Sequence, residues 1–96
     1  MSEVGWIVRS DAGRDRGDVL CVTALAGDGR LLLADGKRRK LTRPKTKKLR
    51  HVCVLERDFS HEVIRKLQTS QTVSDRELRG ALAAFKGGNH AWQKTI

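Results

Sequence analysis

The hydrophobic periodicity of the chain changes near residue 57. Before that point, short segments rich in apolar and β-branched residues alternate with glycine turns, a pattern typical of strands. After it, apolar residues fall three or four positions apart, which is typical of helices. Several short strands must avoid exposed edges, and a small barrel does so by closing on itself. The sequence therefore predicts a mainly β fold, a small barrel of about five strands, followed by C-terminal helices.

Five strands are predicted in the first half of the chain. The segment Val19–Leu25 (VLCVTAL) is apolar with little alternation, as in a strand buried on both faces. Trp6 lies in the first strand, where we expect it to fill the barrel. Gly27–Gly29 and Asp35-Gly36 mark turns that lead into the third and fourth strands. The predicted strands have the residue ranges 4–9, 19–25, 31–33, 37–42 and 49–55.

Two helices are predicted after the change in periodicity. Ser60 is the expected N-cap of the first, and Ser74 and Glu77 have the spacing of a capping box at the start of the second. Gly87-Gly88 is expected to end the second helix. The residues expected to form the apolar faces of the helices are Val63, Ile64 and Leu67 in the first and Leu78, Leu82 and Phe85 in the second.

The length of 96 residues predicts one domain with a small core. We expect residues 1–57 to form the barrel, 58–88 a helical extension and 89–96 a flexible tail. The longest apolar run has five residues, Ala81–Phe85, whereas a bilayer span needs about 20. No secretory signal is visible at the start of the chain, and two cysteines do not make a disulfide framework. We therefore expect a cytoplasmic protein that does not contact membranes.

Positive charge is concentrated in residues 37–50, which we call the basic segment. The chain has 20 basic and 11 acidic residues, a net charge of +9. Nine of the basic residues lie in this segment, which contains no acid, and subtracting nine from 20 leaves 11 basic against 11 acidic residues elsewhere. Such a local excess binds nucleic acid mainly by releasing counterions from phosphates. The nine residues are Lys37, Arg38, Arg39, Lys40, Arg43, Lys45, Lys47, Lys48 and Arg50.

The basic segment has other interpretations. A solvated or disordered run, or an import signal, has a similar composition, because like charges repel and often leave a chain unfolded. Against this, Leu41 and Leu49 are expected to anchor the segment to the core, and Pro44 holds its middle extended. An anionic membrane surface would require an amphipathic helix with large apolar residues beside the charges, and these are missing. Nucleic-acid binding is the interpretation we favour.

A loop rich in glycine and arginine precedes the second strand. The pentapeptide Gly13-Arg14-Asp15-Arg16-Gly17 places two arginines on a turn bracketed by glycines. Glycine lets the backbone approach a phosphate, and a planar guanidinium matches two phosphate oxygens. The pentapeptide alone is also typical of a solvated surface turn. Together with the basic segment it indicates a phosphate-binding loop formed by Gly13, Arg14, Arg16 and Gly17.

The strand–loop–strand unit resembles the KOW motif of several ribosomal proteins and transcription elongation factors. The resemblance is carried by VRSDAGRDRG (Val8–Gly17), followed by LLLADGKRRK and RPKTKKLRH, and covers about residues 4 to 55. The chain is similar to bacterial KOW-domain RNA-binding proteins, which resemble archaeal and eukaryotic large-subunit ribosomal proteins with an SH3-like barrel. The resemblance implies an SH3-like barrel whose KOW loop lies on RNA, with Gly17 as the typical glycine of the motif.

The aromatic residues bear on the kind of nucleic acid. The chain has four, Trp6, Phe59, Phe85 and Trp92, and none lies in the basic segment, which argues against a platform on which single-stranded bases stack. No recognition helix with polar readers is visible, so major-groove reading of DNA is not expected. Phosphate and shape recognition of folded RNA, such as ribosomal RNA, remains, and the resemblance favours it as well.

Metal binding and catalysis receive little support. The candidate ligands lack the CxxC or HxxxH spacing of a zinc site, and the two cysteines are expected to be buried as small apolar side chains. No Ser/His/Asp arrangement or Walker-type loop is present, so we expect no metal, no cofactor and no enzymatic activity. The candidate ligands are Cys21, His51, Cys53, His61 and His90.

We therefore predict a non-catalytic RNA-binding protein that acts on the ribosome or on ribosomal RNA and is a monomer when free. The alternative is a protein-interaction module of the transcription or translation machinery that uses the barrel and the C-terminal helices, with protein contacts through residues 60–86. Arg76, Arg79 and Lys86 are expected to face outward on the second helix and would suit either partner. Fold resemblance alone does not separate the two functions.

Overall fold

The apolar run Val19–Leu25 forms β2, the central strand of a five-stranded antiparallel sheet, as predicted. The structure is a computed structural model and describes residues 2–88. The first four residues of β2, Val19–Val22, are buried on both faces of the sheet. The elements are β1 (Ile7–Ser10), β2 (Val19–Leu25), β3 (Leu31–Ala34), β4 (Lys45–Lys47), a 3₁₀ turn (Leu49–His51), β5 (Val52–Glu56), α1 (Glu62–Gln68) and α2 (Asp75–Gly88).

The strands lie in the order β4-β3-β2-β1-β5, so the two edge strands are neighbours along the chain. Only Lys48 and the 3₁₀ turn separate them. In a flat sheet the two edges would lie about 19 Å apart, whereas a fully extended chain from Lys47 to Val52 covers at most about 17 Å. The 3₁₀ turn shortens that reach further, so the sheet must curl. Register shifts at Ile7/Val8 and Val22/Ala24 allow the bend.

The curled sheet is buried on both faces. Ile7 and Val8 are adjacent in β1, point to opposite faces and are both fully buried. The buried members of one apolar cluster all come from the sheet, whereas the other cluster also includes residues of α1 and α2. Because the helices cover the outer face, the first cluster lies on the inner side of the curl. The inner cluster is Val8, Leu20, Val22, Leu31 and Leu33, and the outer cluster is Ile7, Val19, Cys21, Ala34, Ile64, Leu78, Leu82 and Phe85.

Each helix begins with a side-chain cap. In α2 the predicted capping box is confirmed: the Glu77 N–H donates to Ser74 Oγ, and the Ser74 N–H donates to Glu77 Oε1, both at 3.1 Å. In α1 the cap lies one residue later than predicted. His61, not Ser60, is the N-cap, and its Nδ1 accepts a hydrogen bond of 3.1 Å from the Val63 N–H.

Helix α2 packs its apolar side on the sheet, as predicted. The ring of Phe85 meets that of Phe59 edge to face, with centroids 5.5 Å apart. The described helix ends at Gly88, within the glycine pair that was expected to end it. No helix within residues 2–88 is long and apolar enough to cross a membrane. The predicted flexible tail, residues 89–96, lies outside the described residues.

The basic segment differs most from its predicted conformation. Residues 37–42 do not form the predicted strand, because the Asp35 carboxylate accepts hydrogen bonds from the N–H groups of Lys37 and Arg39 and folds this stretch into a turn. The strand that pairs with β3 is β4, further along the chain. The predicted strand 49–55 begins with the 3₁₀ turn and is extended only in β5.

Trp6 precedes β1 and is only half-buried. It packs at the margin of the inner cluster, and the guanidinium of Arg57 lies over its ring, 5.0 Å from the centroid. The expectation that Trp6 fills the barrel is therefore met only in part, since Leu20 and Leu33 occupy the inner side of the sheet.

The packing predicts which apolar side chains stabilise the fold. Phe85→Ala removes a ring that is 1% exposed and should lower the free energy of unfolding by about 3–5 kcal/mol. Leu25→Ala is the control, because Leu25 is 38% exposed and its truncation should change stability by about 0.5 kcal/mol or less. Urea denaturation followed by circular dichroism measures both. Equal effects of the two substitutions would contradict the burial of Phe85 between α2 and the sheet.

Candidate nucleic-acid interface

The loop between β1 and β2, residues 11–18, carries four of the predicted RNA-binding residues, Gly13, Arg14, Arg16 and Gly17, and we call it the arginine loop. Gly13 and Gly17 have φ angles of +83° and +94°, which other residues rarely adopt. A hydrogen bond of 2.8 Å from the Gly17 N–H to the carbonyl of the last β1 residue closes the loop. Arg14 and Arg16 are exposed. The glycines therefore form the bracketed turn that the sequence indicates.

Asp15, between the two arginines, is buried and forms an ion pair with Lys47 of β4. Lys47 Nζ lies 2.9 Å from Asp15 Oδ1, and the two side chains are 7% and 5% exposed. The same carboxylate oxygen accepts a hydrogen bond of 2.9 Å from Ser10 Oγ, and Lys47 Nζ also donates to the Ala12 carbonyl. A side chain of the basic segment thus holds the arginine loop from inside the protein.

The pKa of Asp15 reflects this environment. Burial by itself would raise the pKa, because it penalises the charged form. The hydrogen bonds from Lys47 and Ser10, together with the positive charge of Lys47, outweigh burial and hold the pKa below its ordinary value. Asp15 is therefore ionised at neutral pH, and Lys47 has a buried counterion.

A second contact attaches the arginine loop to the 3₁₀ turn. The Asp11 N–H donates to the His51 carbonyl at 2.9 Å. Gly13 lies so close to Lys47 that a Cβ on Gly13 would be 3.3 Å from the Lys47 Nζ. These contacts place the arginine loop beside residues 45–50, the C-terminal part of the basic segment.

Of the nine cations of the basic segment, six are exposed, two are half-buried and one, Lys47, is buried. Leu49, expected to anchor the segment, is 48% exposed, whereas Leu41 packs against the outer cluster as expected. The lysine and the leucine have therefore exchanged their predicted environments. Among the predicted site cations, Arg14, Arg16, Lys37, Arg38, Lys40, Arg43, Lys48 and Arg50 are exposed, Arg39 and Lys45 are half-buried, and Lys47 is buried.

The N-terminal part of the basic segment packs on the start of α2. The Arg79 Nη1 donates to the Gly36 carbonyl at 2.7 Å, and the Leu41 N–H donates to Asp75 Oδ1 at 2.8 Å. Gly36 has a φ of +76°, and a Cβ there would lie 2.2 Å from the Asp75 carbonyl oxygen. Residues 37–40 are therefore held against the helix rather than beside the arginine loop. Arg79 is exposed on α2, as expected, and its guanidinium donates to the chain's own backbone.

Three aspartates outside the basic segment hold it in place, and none of these carboxylate contacts was predicted from the sequence. Asp15 pairs with Lys47, Asp35 folds the turn that follows β3, and Asp75 accepts from the backbone of Leu41. The role of Asp35 had a visible signal, because aspartate before glycine commonly accepts from the backbone two residues on. The contact of Asp75 joins residues 34 positions apart, and no local pattern indicates it.

Four of the five candidate metal ligands, Cys21, His51, Cys53 and His61, lie in the part of the chain that the structure describes, and His90 lies outside it. Within residues 2–88 no group of three or more His, Cys, Asp or Glu side chains is arranged to hold a metal ion. Cys21 is fully buried, and burial raises the pKa of its thiol to about 12. Cys53 in β5 is half-buried rather than buried as expected, and both thiols are free.

No protein-family profile matches the chain, and no curated protein is found to be similar to it. The resemblance to KOW-domain proteins therefore rests on the residues that carry it, and the assignment of a function rests on the geometry of the arginine loop and the basic segment.

The ion pair predicts a pH-dependent loss of stability in Asp15→Asn. Because the folded-state pKa lies below the ordinary 3.8, ionised Asp15 stabilises the fold above that pH, and the contribution is lost as the pH falls through the folded-state value. At pH 7 the variant leaves Lys47 buried without a counterion and should lose about 3–5 kcal/mol of unfolding free energy. Urea titrations from neutral pH towards about pH 2 should show the difference from wild type shrinking.

The double variant Asp15→Asn/Lys47→Met is the control for this measurement. It removes both charges and should recover part of the stability lost in the single variant, because no unpaired buried charge remains. A single-variant loss that is independent of pH, or one that the double variant does not reduce, would show that the ion pair is not its source.

The contact of Gly36 with α2 predicts that Gly36→Ala disrupts the packing of the basic segment. The added Cβ meets backbone atoms of Asp75, and alanine also disfavours the positive φ. We expect a loss of about 2 kcal/mol or more in unfolding free energy. Gly29→Ala is the control, because Gly29 has a φ of +87° but open space around its Cβ position. Equal losses in the two variants would contradict a steric contact with α2.

Proposed function

We propose that this chain is a non-catalytic RNA-binding protein that associates with the ribosome or with ribosomal RNA. In this proposal residues 1–57 form an SH3-like barrel with a KOW loop. The exposed cations of the arginine loop and the basic segment bind phosphates of a folded RNA. The protein acts in the cytoplasm without a metal or cofactor and is a monomer when free.

The attachment of the arginine loop to β4 through Asp15 and Lys47 is the observation that carries the proposal. It brings Arg14 and Arg16 next to the part of the basic segment that contains Lys48. Cations from two separate stretches of chain are thereby held on ordered backbone. Ordered cations lose less conformational freedom on binding than those of a disordered run, so more of the phosphate interaction remains as affinity.

The composition of this surface favours phosphate contacts over base stacking. Neither the arginine loop nor the basic segment contains an aromatic residue, and proteins that hold single strands use such rings as stacking platforms. Arginine forks bind two phosphate oxygens at once, and lysines add point charges along the backbone. A folded RNA presents phosphates from several strands at close spacing. The resemblance to KOW-domain proteins supports ribosomal RNA as that ligand.

The burial of Lys47 changes the set of residues to which we assign RNA contacts. Its ammonium is occupied by Asp15 and Ala12, so we give it the role of positioning the arginine loop. Gly13 and Gly17 supply the turn. The residues to which we assign phosphate contacts are Arg14, Arg16, Lys37, Arg38, Arg39, Lys40, Arg43, Lys45, Lys48 and Arg50.

A protein-interaction surface on residues 60–86 has less support. Protein interfaces usually have an apolar centre, but α1 and α2 use Ile64, Leu82 and Phe85 for packing on the sheet. Within the part of the chain that the structure describes, the exposed large apolar side chains are Leu25 and Leu49, and both lie outside the helices.

The salt dependence of RNA binding tests the proposal. Affinity for a structured RNA should fall steeply from about 50 to 200 mM salt, with a log–log slope of several units, because each phosphate contact releases counterions. Arg14→Ala/Arg16→Ala should weaken binding to unrelated structured RNAs by similar factors and reduce the slope by about 2. Fluorescence anisotropy across a salt series yields both quantities.

Arg65→Ala/Arg76→Ala is the matched control, because it removes the same charge from exposed positions on α1 and α2. This variant should keep the salt slope of the wild type. A flat salt dependence of the wild type would rule out binding through phosphates. A larger loss from the helix pair than from the loop pair would instead locate the binding surface on residues 60–86.

Crosslinking in cells, followed by sequencing of the bound RNA, tests the ribosomal part of the proposal. We expect ribosomal RNA to be recovered with crosslinks concentrated at one site. Recovery of scattered messenger RNA alone would contradict association with the ribosome while leaving RNA binding intact.

A further inference from the structure

Leu49 is exposed at the start of the 3₁₀ turn, between Lys48 and Arg50 of the basic segment. A single exposed leucine is ordinary on a protein surface. Leu49 differs in its surroundings, because the turn between β2 and β3 lies next to it and the two form a cleft. The cleft is lined by Asp28, Gly29, Arg30, Lys48 and Leu49.

The turn between β2 and β3 supplies an ordered pair of charged groups to the cleft. Asp28 Oδ2 lies 2.7 Å from Arg30 Nε, and Asp28 Oδ1 accepts a hydrogen bond of 3.1 Å from the Arg30 N–H. That backbone hydrogen bond is the main reason why the pKa of Asp28 lies below its ordinary value. The cleft thus combines an apolar side chain, an oriented guanidinium and an ionised carboxylate.

These groups suit a nucleobase better than a phosphate. The carboxylate of Asp28 repels a phosphate, and the side chain of Leu49 offers it no hydrogen bond. An unpaired base, by contrast, packs its flat face on aliphatic or guanidinium surfaces, and its amino group donates to a carboxylate as cytosine does to aspartate in DNA readout. Lys48 and Arg50, on either side of Leu49 along the chain, are available to the phosphates of the neighbouring nucleotides.

We propose that this cleft holds one unpaired base of the RNA that the basic segment binds. The inference rests on the RNA binding proposed above and adds a feature of the ligand. The base is one with an exocyclic amino group, namely guanine, cytosine or adenine, rather than uracil. The bound RNA is therefore a folded RNA with a bulged or looped nucleotide, not an uninterrupted duplex.

Three hairpin RNAs test the inference: one with a single bulged adenosine, one fully paired, and one with an abasic nucleotide at the bulge. Leu49→Ala should weaken binding to the bulged hairpin about fivefold or more, because it removes the surface on which the base packs. It should leave the salt slope and the affinity for the paired hairpin unchanged. Leu25→Ala removes the other exposed leucine and should change none of these affinities.

The abasic hairpin separates loss of base contact from general damage. Removing the base should weaken binding of the wild type by at least the factor that Leu49→Ala does, because the contacts of Asp28 and Arg30 with the base are lost as well. It should cause a smaller loss in the Leu49→Ala variant than in the wild type. Losses that multiply, or a Leu49→Ala effect that is equal on paired and bulged hairpins, would overturn the inference. So would a bulged adenosine that binds no better than the abasic nucleotide.

The same assay distinguishes failure of the inference from failure of RNA binding. Arg14→Ala/Arg16→Ala should weaken all three hairpins by similar factors, whether or not the cleft holds a base. If this double variant behaves as expected and Leu49→Ala has no effect, the cleft proposal fails and the RNA-binding proposal stands. If the wild type binds none of the hairpins with a steep salt dependence, both proposals fail together.

Discussion

The buried ion pair between Asp15 and Lys47 determines the shape of the candidate binding surface. Taking two charges out of water costs several kcal/mol per ion, and their attraction often does no more than offset this. The pair is therefore weak as a source of net stability but costly to break from one side. Its main consequence is geometric, because it fixes the arginine loop to the edge strand β4. The positions of Arg14 and Arg16 relative to the basic segment depend on it.

The order of the basic segment follows from acids that lie outside it. A stretch with nine cations and no acid would by itself be expected to repel its own charges and stay disordered. Three aspartates hold the segment at successive points: Asp35 at its start, Asp75 at Leu41, and Asp15 at Lys47. Asp35 and Asp75 accept hydrogen bonds from backbone N–H groups, so these two carboxylates do not neutralise cationic side chains of the segment. The segment is thus ordered while most of its charge remains at the surface.

The features predicted correctly are those that nearby residues determine. The strand β2 and the capping box of α2 depend on local composition and spacing, and both agree with the structure. The errors at Lys47 and Leu49 have a different origin. Hydrophobicity places a leucine inside and a lysine outside, but the partner of Lys47 is more than thirty residues earlier in the chain. Only tertiary contacts decide such cases. The charge pattern of the sequence therefore indicated the candidate surface but not the burial of Lys47 against Asp15.

The exposed cations and the buried Asp15–Lys47 pair should respond differently to salt and to acid, because they differ in burial. Interactions between exposed cations and phosphates are screened by salt over a Debye length of about 10 Å at 0.1 M, whereas a buried pair is screened much less. Salt sufficient to release the RNA of the proposed complex should therefore leave the Asp15–Lys47 contact in place. The salt dependence of the proposed binding would then report phosphate contacts and not detachment of the arginine loop. Acid acts on the other partner: it protonates Asp15 and removes the anchor, while Arg14 and Arg16 keep their charge.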